Sequence, residues 1–273
     1  MTNIRIAHFS DIHMAMAPNW STINVNRFFS WGRWVATRRR HHSIERLDRV
    51  IQMVIEANPH LVICTGDLSH TGLPYELAAV SEKFDLLTQK KIPMLLTGGN
   101  HDYYNRSACD EIARLQEKHG LDLKIDKDGI CQRGDVTILC LDQAIYNPFY
   151  MARGTLNQDA LESIENRLQS GQLSQINLAV GHYPVCDASG QSISIRKRLG
   201  GDERLKQFLQ SQKIPAYLCG HLHKPFSIAL ADGCVQYCAG SITNAGVLRM
   251  LQYEDSRLVE EQTPVIDLDK RKN

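Results

Sequence analysis

No stretch of this chain approaches the ~20 consecutive apolar residues that a membrane-spanning helix needs, so composition alone argues against a spanning segment. The eight cysteines include no CxxC pair and no Cys–His finger spacing, which removes the common zinc modules and thioredoxin-type redox motifs. Neither sign of charge dominates: 31 Lys and Arg stand against 30 Asp and Glu. Bulk charge therefore names no partner, and it gives no electrostatic footprint for nucleic acid. Internal repeats and low-complexity linkers are also missing. A secretory leader is not expected, because the N-terminus runs straight into the apolar segment Ile4-Arg5-Ile6-Ala7-His8-Phe9. Cys64, Cys140 and Cys219 sit inside apolar strand-like runs. The expectation is free core thiols in a reducing cytoplasm rather than a disulfide framework.

A chain of 273 residues can bury a core without covalent staples, and a single domain over 1–273 is expected. Residues 44–58 read as a helix, with Ser43 as its N-cap and Ile44, Leu47, Ile51, Val54 and Ile55 on one face. Asn58-Pro59 ends it. Further helices are expected near 75–90 (opened by Leu73-Pro74), 107–119, 157–170 and 202–212, the last capped by Asp202. Strands are expected at 61–65, 92–97, 130–131, 136–141, 176–180 and 216–219, followed by an antiparallel set within 226–265. Such alternation, ending in a strand-rich segment, implies an α/β fold of mixed sheets covered by helices.

Five polar clusters punctuate this pattern: Asp11-Ile12-His13, Gly66-Asp67, Gly99-Asn100-His101-Asp102, Gly181-His182 and Gly220-His221-Leu222-His223. Each follows an apolar, β-rich run. Neighbouring strands ending at one edge of a sheet would deliver all five to a common place. The donors are carboxylates, one amide and imidazoles, a set that suits Mn, Fe, Zn or Co better than Ca or Mg. In extended chain Asp11 and His13 fall on one face with Ile12 turned to the core, and the same holds for His221 and His223 around Leu222. The glycines ahead of Asp67, Asn100, His182 and His221 allow sharp turns and close approach.

In these five blocks, in this order, the chain resembles the calcineurin-like metallophosphoesterases. The resemblance implies a four-layer αββα sandwich of two mixed sheets, with a dinuclear metal site at the C-terminal edge of the strands. One divalent ion, Mn above all, would take Asp11, His13, Asp67 and His223. The other would take the bridging Asp67 with Asn100, His182 and His221. Two ions ~3.5–4 Å apart activate a water and clamp a phosphoryl group. His101 would protonate the leaving oxygen, with Asp102 orienting its ring. His8, His60 and His119 read as structural, and Asp142 as a strand-end residue. His70 stands at the rim, where it could meet substrate.

All three tryptophans, Trp20, Trp31 and Trp34, fall within an insert at 20–42, together with Phe28, Phe29 and Arg38-Arg39-Arg40. On a helical wheel the apolar residues fill one arc, Trp31 borders it and the arginines lie beyond, the layout of an interfacial helix. The alternative is a lid helix packed on its own domain. A second basic cluster, Arg196-Lys197-Arg198 with Arg204, should share the rim. These features, with Gly200-Gly201-Asp202 and Gly240-Ser241, are similar to the branch that hydrolyses UDP-2,3-diacylglucosamine to UMP and lipid X. The expected partners are then a nucleotide-linked lipid and an anionic membrane surface touched through 20–42, placing the protein in the cytoplasm, peripheral on the inner membrane. A soluble 3',5'-cyclic nucleotide phosphodiesterase and a non-catalytic scaffold of the same fold are the competing readings. The intact ligand set argues against the scaffold.

Overall fold

The computed structural model describes residues 3–16, 44–104, 108–148, 150–230, 233–254 and 257–262. The insert at 20–42 and the cap at Ser43 lie outside them. The described strands are β1 (Ile4–Phe9), β2 (Leu61–Cys64), β3 (Met94–Leu96), β4 (Ile130–Arg133), β5 (Val136–Cys140), β6 (Gly154–Thr155), β7 (Leu178–Val180), β8 (Leu199–Gly200), β9 (Ala216–Cys219), β10 (Phe226–Ala229), β11 (Val235–Cys238), β12 (Arg249–Glu254) and β13 (Arg257–Gln262). The helices are α1 (Ile44–Ala57), α2 (Pro74–Gln89), α3 (Ala108–His119), α4 (Gln158–Gln169), α5 (Asp202–Ser211) and the single turn α6 (Ile242–Ala245).

One sheet runs β13-β12-β1-β2-β3 and the other β10-β11-β9-β7-β5-β4, with β6 and β8 paired apart. Both large sheets are mixed. In the first, β1, β2 and β3 are parallel, β12 runs antiparallel to β1, and β13 runs antiparallel to β12. In the second, β11, β9, β7 and β5 are parallel, and antiparallel β10 and β4 close the two edges.

The period of two along each strand explains the layering. Ile4 and Ile6 of β1, Leu61 and Ile63 of β2, Ile138 of β5 and Leu218 of β9 meet in one apolar cluster between the sheets. The alternate residues Ala7, Phe9, Val62 and Cys64 pack on α1 and α2 in a second cluster. Leu139, Tyr217 and Cys219 pack on α4 and α5 in a third. A strand buried on both faces needs an unbroken apolar run, which is why these segments show little polar alternation. The helices seat by their own period. In α1, Leu47, Val50, Ile51 and Val54 are buried, each contributing about 1.5–3 kcal/mol.

Three expectations need correction. The strand ends that carry the clusters belong to two sheets rather than one, because β7 and β9 sit opposite β1, β2 and β3. The C-terminal strands are not one antiparallel set. β11 pairs parallel with β9, and the chain then crosses to the other sheet, where β12 lies against β1. Gly201, at φ 95°, is the N-cap of α5, and Asp202 is its first residue. Of the cysteines, Cys64, Cys131, Cys140, Cys186, Cys219, Cys234 and Cys238 are free and buried or half-buried. Burial pushes the Cys131 and Cys234 thiols up to about 12, so they stay protonated. No described helix is long and apolar enough to cross a membrane.

Candidate metal centre

Nine described non-glycine residues have positive φ, and five of them are Asp11 (55°), His13 (50°), Asp67 (51°), His221 (71°) and His223 (59°). This left-handed region costs an L-residue roughly 1–2 kcal/mol, and such strain gathers where a site over-determines the backbone. It also corrects the extended-chain expectation. β1 ends at Phe9 and β9 at Cys219, so Asp11 with His13, and His221 with His223, converge through left-handed turns rather than along a pleat. Ile12 is still buried in the core.

Neighbouring loops pin these turns. Asp11 N donates to Gly66 O at 3.0 Å, His13 N to Asp67 O at 2.9 Å and Met14 N to Leu68 O at 2.9 Å. His221 N donates to Asp11 Oδ2 at 3.0 Å, joining the two sheets at the site. Behind Asp11, Ser241 Oγ donates to the Asp11 carbonyl and Thr243 Oγ1 to that of Ile12, both at 2.8 Å. A Cβ on Gly220 would meet Ser10 and Asp11, and one on Gly99 would meet Asp67. Close approach therefore requires glycine at both positions.

Around His13 the donors converge. Its Nε2 lies 3.7 Å from Asp11 Oδ1, 3.7 Å from Asp67 Oδ2 and 2.8 Å from His223 Nε2. Ligand atoms of Asp11, His13, Asp67 and His223 all lie within 4.8 Å of one another. The same Asp67 Oδ2 lies 3.6 Å from His182 Nε2 on the other side, and the His182 and His221 rings are 5.1 Å apart. Asp67 thus stands between two imidazole groups, the position a bridging carboxylate requires.

The residues fit cations. Asn100 Oδ1 and His182 Nε2 are buried without a hydrogen-bond partner, a cost of about 1–3 kcal/mol each that a cation removes. Two of the imidazoles, His182 and His221, are held by one nitrogen so that the other is left to coordinate. His182 Nδ1 donates to Thr65 O at 2.6 Å, leaving Nε2. His221 Nε2 donates to Lys197 O at 2.8 Å, leaving Nδ1. Such outer hydrogen bonds set the tautomer and orientation of a ligating ring. Burial holds both rings below the ordinary histidine value, in the neutral form that metals bind. Burial would raise Asp11, but the hydrogen bond and charge of His223 prevail and bring it down to about 2.

His101 adjoins this centre. Its N donates to Asp67 Oδ1 at 2.8 Å, and its ring packs against His13 at 4.6 Å and Tyr104 at 5.1 Å. Its Nδ1 donates to the His70 carbonyl at 2.7 Å. Here the ring-orienting role expected of Asp102 falls to His70. The Asp102 carboxylate accepts instead from Leu68 N, Ser69 N, Ser69 Oγ and Gly99 N at 2.8–3.2 Å. It clasps the loop carrying Asp67 to the loop carrying Asn100. His70 is buried and its ring stacks on His101 at 5.3 Å, so it belongs to the interior of the site rather than to an open rim.

His8, His60 and His119 are structural, as expected. His8 Nε2 pairs with Thr65 Oγ1 at 3.1 Å, His60 Nδ1 accepts from Arg5 N at 2.9 Å, and His119 sits between Ser81 and Thr88. Asp142 follows β5 and accepts from Tyr103 Oη at 3.4 Å. The Lys197 carbonyl places the 196–198 run beside His221, but Arg204 pairs with Glu165 between α4 and α5 instead.

The calcineurin-like phosphoesterase family profile matches residues 4–225. The chain belongs to that family. Its fold is similar to a dimetal phosphatase from Danio rerio, with a TM-score of 0.66 at 12% identity over 96% of this chain and 98% of that one. It is similar also to TT1561 of Thermus thermophilus, with a TM-score of 0.59 at 11% identity over 97% and 100%. A putative 5'-nucleotidase from Staphylococcus aureus aligns with a TM-score of 0.54 at 15% identity, covering 98% of this chain and 56% of that one. No curated protein matches the sequence. The chain is a metal-dependent phosphoesterase of α/β fold, and the family's dinuclear divalent sites accord with the His and Asp cluster here.

Proposed function

We propose that the enzyme hydrolyses the pyrophosphate of UDP-2,3-diacylglucosamine, releasing UMP and lipid X. The placement of Asp67 Oδ2, 3.7 Å from His13 Nε2 and 3.6 Å from His182 Nε2, carries the two-ion part of the reading. Asp11, His13, Asp67 and His223 would hold one divalent ion, and Asp67, Asn100, His182 and His221 the other. Such ions supply an activated water and neutralise charge on the phosphoryl oxygens. The chain's own residues do the rest. Asp102 keeps the two ligand loops in register, the His70 carbonyl accepts from His101 Nδ1 and orients the ring, and the imidazolium form of His101 would give its Nε2 proton to the leaving oxygen and be left neutral with its proton on Nδ1.

The choice of a lipid-linked substrate rests on the Trp, Phe and Arg content of the insert at 20–42 and on the basic run beside His221. The insert would shelter acyl chains next to the metal centre and touch the inner membrane face. Replacing Phe28, Phe29 and Trp31 together by Ser tests this. Turnover of the lipid substrate should fall at least tenfold while a small soluble diester is hydrolysed as before. Equal losses on both substrates would reduce the insert to an ordinary lid and favour the cyclic nucleotide reading.

A further inference from the structure

Eight large apolar side chains are exposed among the described residues, and four of them lie on two adjoining loops: Ile145 (37%), Tyr146 (51%), Tyr150 (61%) and Ile195 (62%). Isolated exposed apolar residues mean little, but a contiguous group beside a catalytic centre marks an interaction surface. The loops are tied together. Ala152 N donates to Arg196 O at 2.8 Å, and β6 pairs with β8 just beyond. Asn147 bonds the Ile145 and Arg153 carbonyls and so closes the first loop on itself. Both loops back the metal centre. Lys197 O holds His221, and Arg153 O accepts from Tyr183, whose ring packs on His221 at 4.6 Å.

The charge on these loops has one sign. Arg153, Arg196, Lys197 and Arg198 stand there, and neither 143–153 nor 188–201 contains an acid. Aromatic and branched tips ringed by cations suit a bilayer interface, where apolar side chains enter the acyl boundary and cations meet phosphates.

We propose that residues 145–148, 150–153 and 194–198 form a docking platform for an anionic phospholipid bilayer. Ile195, Tyr146 and Tyr150 enter the interface, and the four cations lie at the headgroups. The metal centre then faces the membrane, with His221 braced by the docked loops. This platform is built from residues other than those of the insert at 20–42. It has a purpose only for a substrate anchored in the bilayer, so it rests on the lipid-linked reading above.

Co-sedimentation of the full chain with vesicles of equal phosphatidylglycerol and phosphatidylcholine tests it. The parent should bind these vesicles, bind less at high salt, and ignore pure phosphatidylcholine. Ile195→Asp combined with Tyr146→Ser and Tyr150→Ser should weaken binding at least tenfold. Arg196→Ser should weaken it about fivefold, the usual contribution of one cation near an anionic surface. Hydrolysis of a soluble nitrophenyl diester should be unchanged in the apolar triple variant, which also shows that it folds, and a parent-like circular dichroism spectrum should show that Arg196→Ser folds. If the rim variants bind like the parent while replacing Arg38, Arg39 and Arg40 by Ser releases the protein, the insert docks alone and the platform is refuted. A parent that ignores anionic vesicles refutes the platform too. Turnover of UDP-2,3-diacylglucosamine in detergent micelles decides the substrate reading separately. Vesicle binding without that turnover would leave the platform standing and sink the substrate.

Discussion

Asp67 is the side chain on which most of the site depends, because one oxygen lies within 3.7 Å of an imidazole nitrogen on each side. Asp67→Ala should lose both ions, measured by elemental analysis; full metal content in that variant would contradict the bridging role. His101→Ala should keep the metals but lose roughly 10²–10⁴ in rate, the usual size for a general acid. The loss should be smallest with a nitrophenyl leaving group, which needs little protonation. Asp102→Ala should act differently. The carboxylate accepts four hydrogen bonds between two loops, and charged hydrogen bonds contribute about 1.5–3 kcal/mol each, not additively. A loss on the order of 3 kcal/mol in denaturant unfolding is expected, with stability close to the parent's for His101→Ala. The donor side chains of the site were legible in the sequence because carboxylate, amide and imidazole stand out from apolar runs. Their outer partners were not. Thr65, His70 and Lys197 act through backbone carbonyls, which every residue carries. The left-handed turns at Asp11 and His221 leave no mark beyond an adjacent glycine in one of the two.

At the scale of elements, α2 carries a titrating anchor. Glu76, at the third position of α2, accepts from Thr71 N, Thr71 Oγ1 and Leu73 N at 2.8–3.4 Å, and from Met16 N at 3.3 Å. Burial outweighs these hydrogen bonds and lifts its carboxyl from 4.5 to about 7. A carboxyl raised on folding binds its proton more tightly in the native state than in the unfolded one. Stability therefore falls as pH rises from about 4.5 through about 7, and levels off above. Glu76→Gln should flatten that part of the stability profile, read as the denaturation midpoint against pH. An unchanged slope would place the carboxyl near its ordinary value. Helix and strand positions were largely legible. The 3.6-residue period marks α1, and Leu73-Pro74 marks the start of α2. Sheet membership was not legible: an apolar run such as that of β7 reads the same in either sheet, and only the register with β5 and β9 decides. Glu76 was overlooked for a related reason. An acid in a first helical turn reads as ordinary dipole compensation, and its burial becomes visible only once Met16 and Thr71 are in place.

For the whole molecule, two mixed sheets bring five loops from across the chain to one centre, and the four layers were legible through the resemblance rather than through periodicity. Residue pattern alone could not place β12 beside β1, some 240 positions away in sequence, where Ile6 stands opposite Leu251. Substrate choice belongs to this scale as well, because the family motifs serve many phosphoesters and specificity lives in what surrounds them. Beside this centre are the basic run next to His221 and the exposed Tyr146, Tyr150 and Ile195, and the sequence adds the Trp, Phe and Arg content of 20–42. On the lipid-linked reading proposed above, these features would serve a substrate with a polyanionic head and an apolar tail. The most direct measurement is hydrolysis by the Mn-loaded full chain of UDP-2,3-diacylglucosamine and of 3',5'-cyclic AMP, side by side. Release of UMP and lipid X, with cyclic AMP turned over at least a hundredfold more slowly (on the order of 3 kcal/mol in transition-state binding), is the predicted result. Rapid opening of cyclic AMP with no UMP released from the lipid substrate would contradict it.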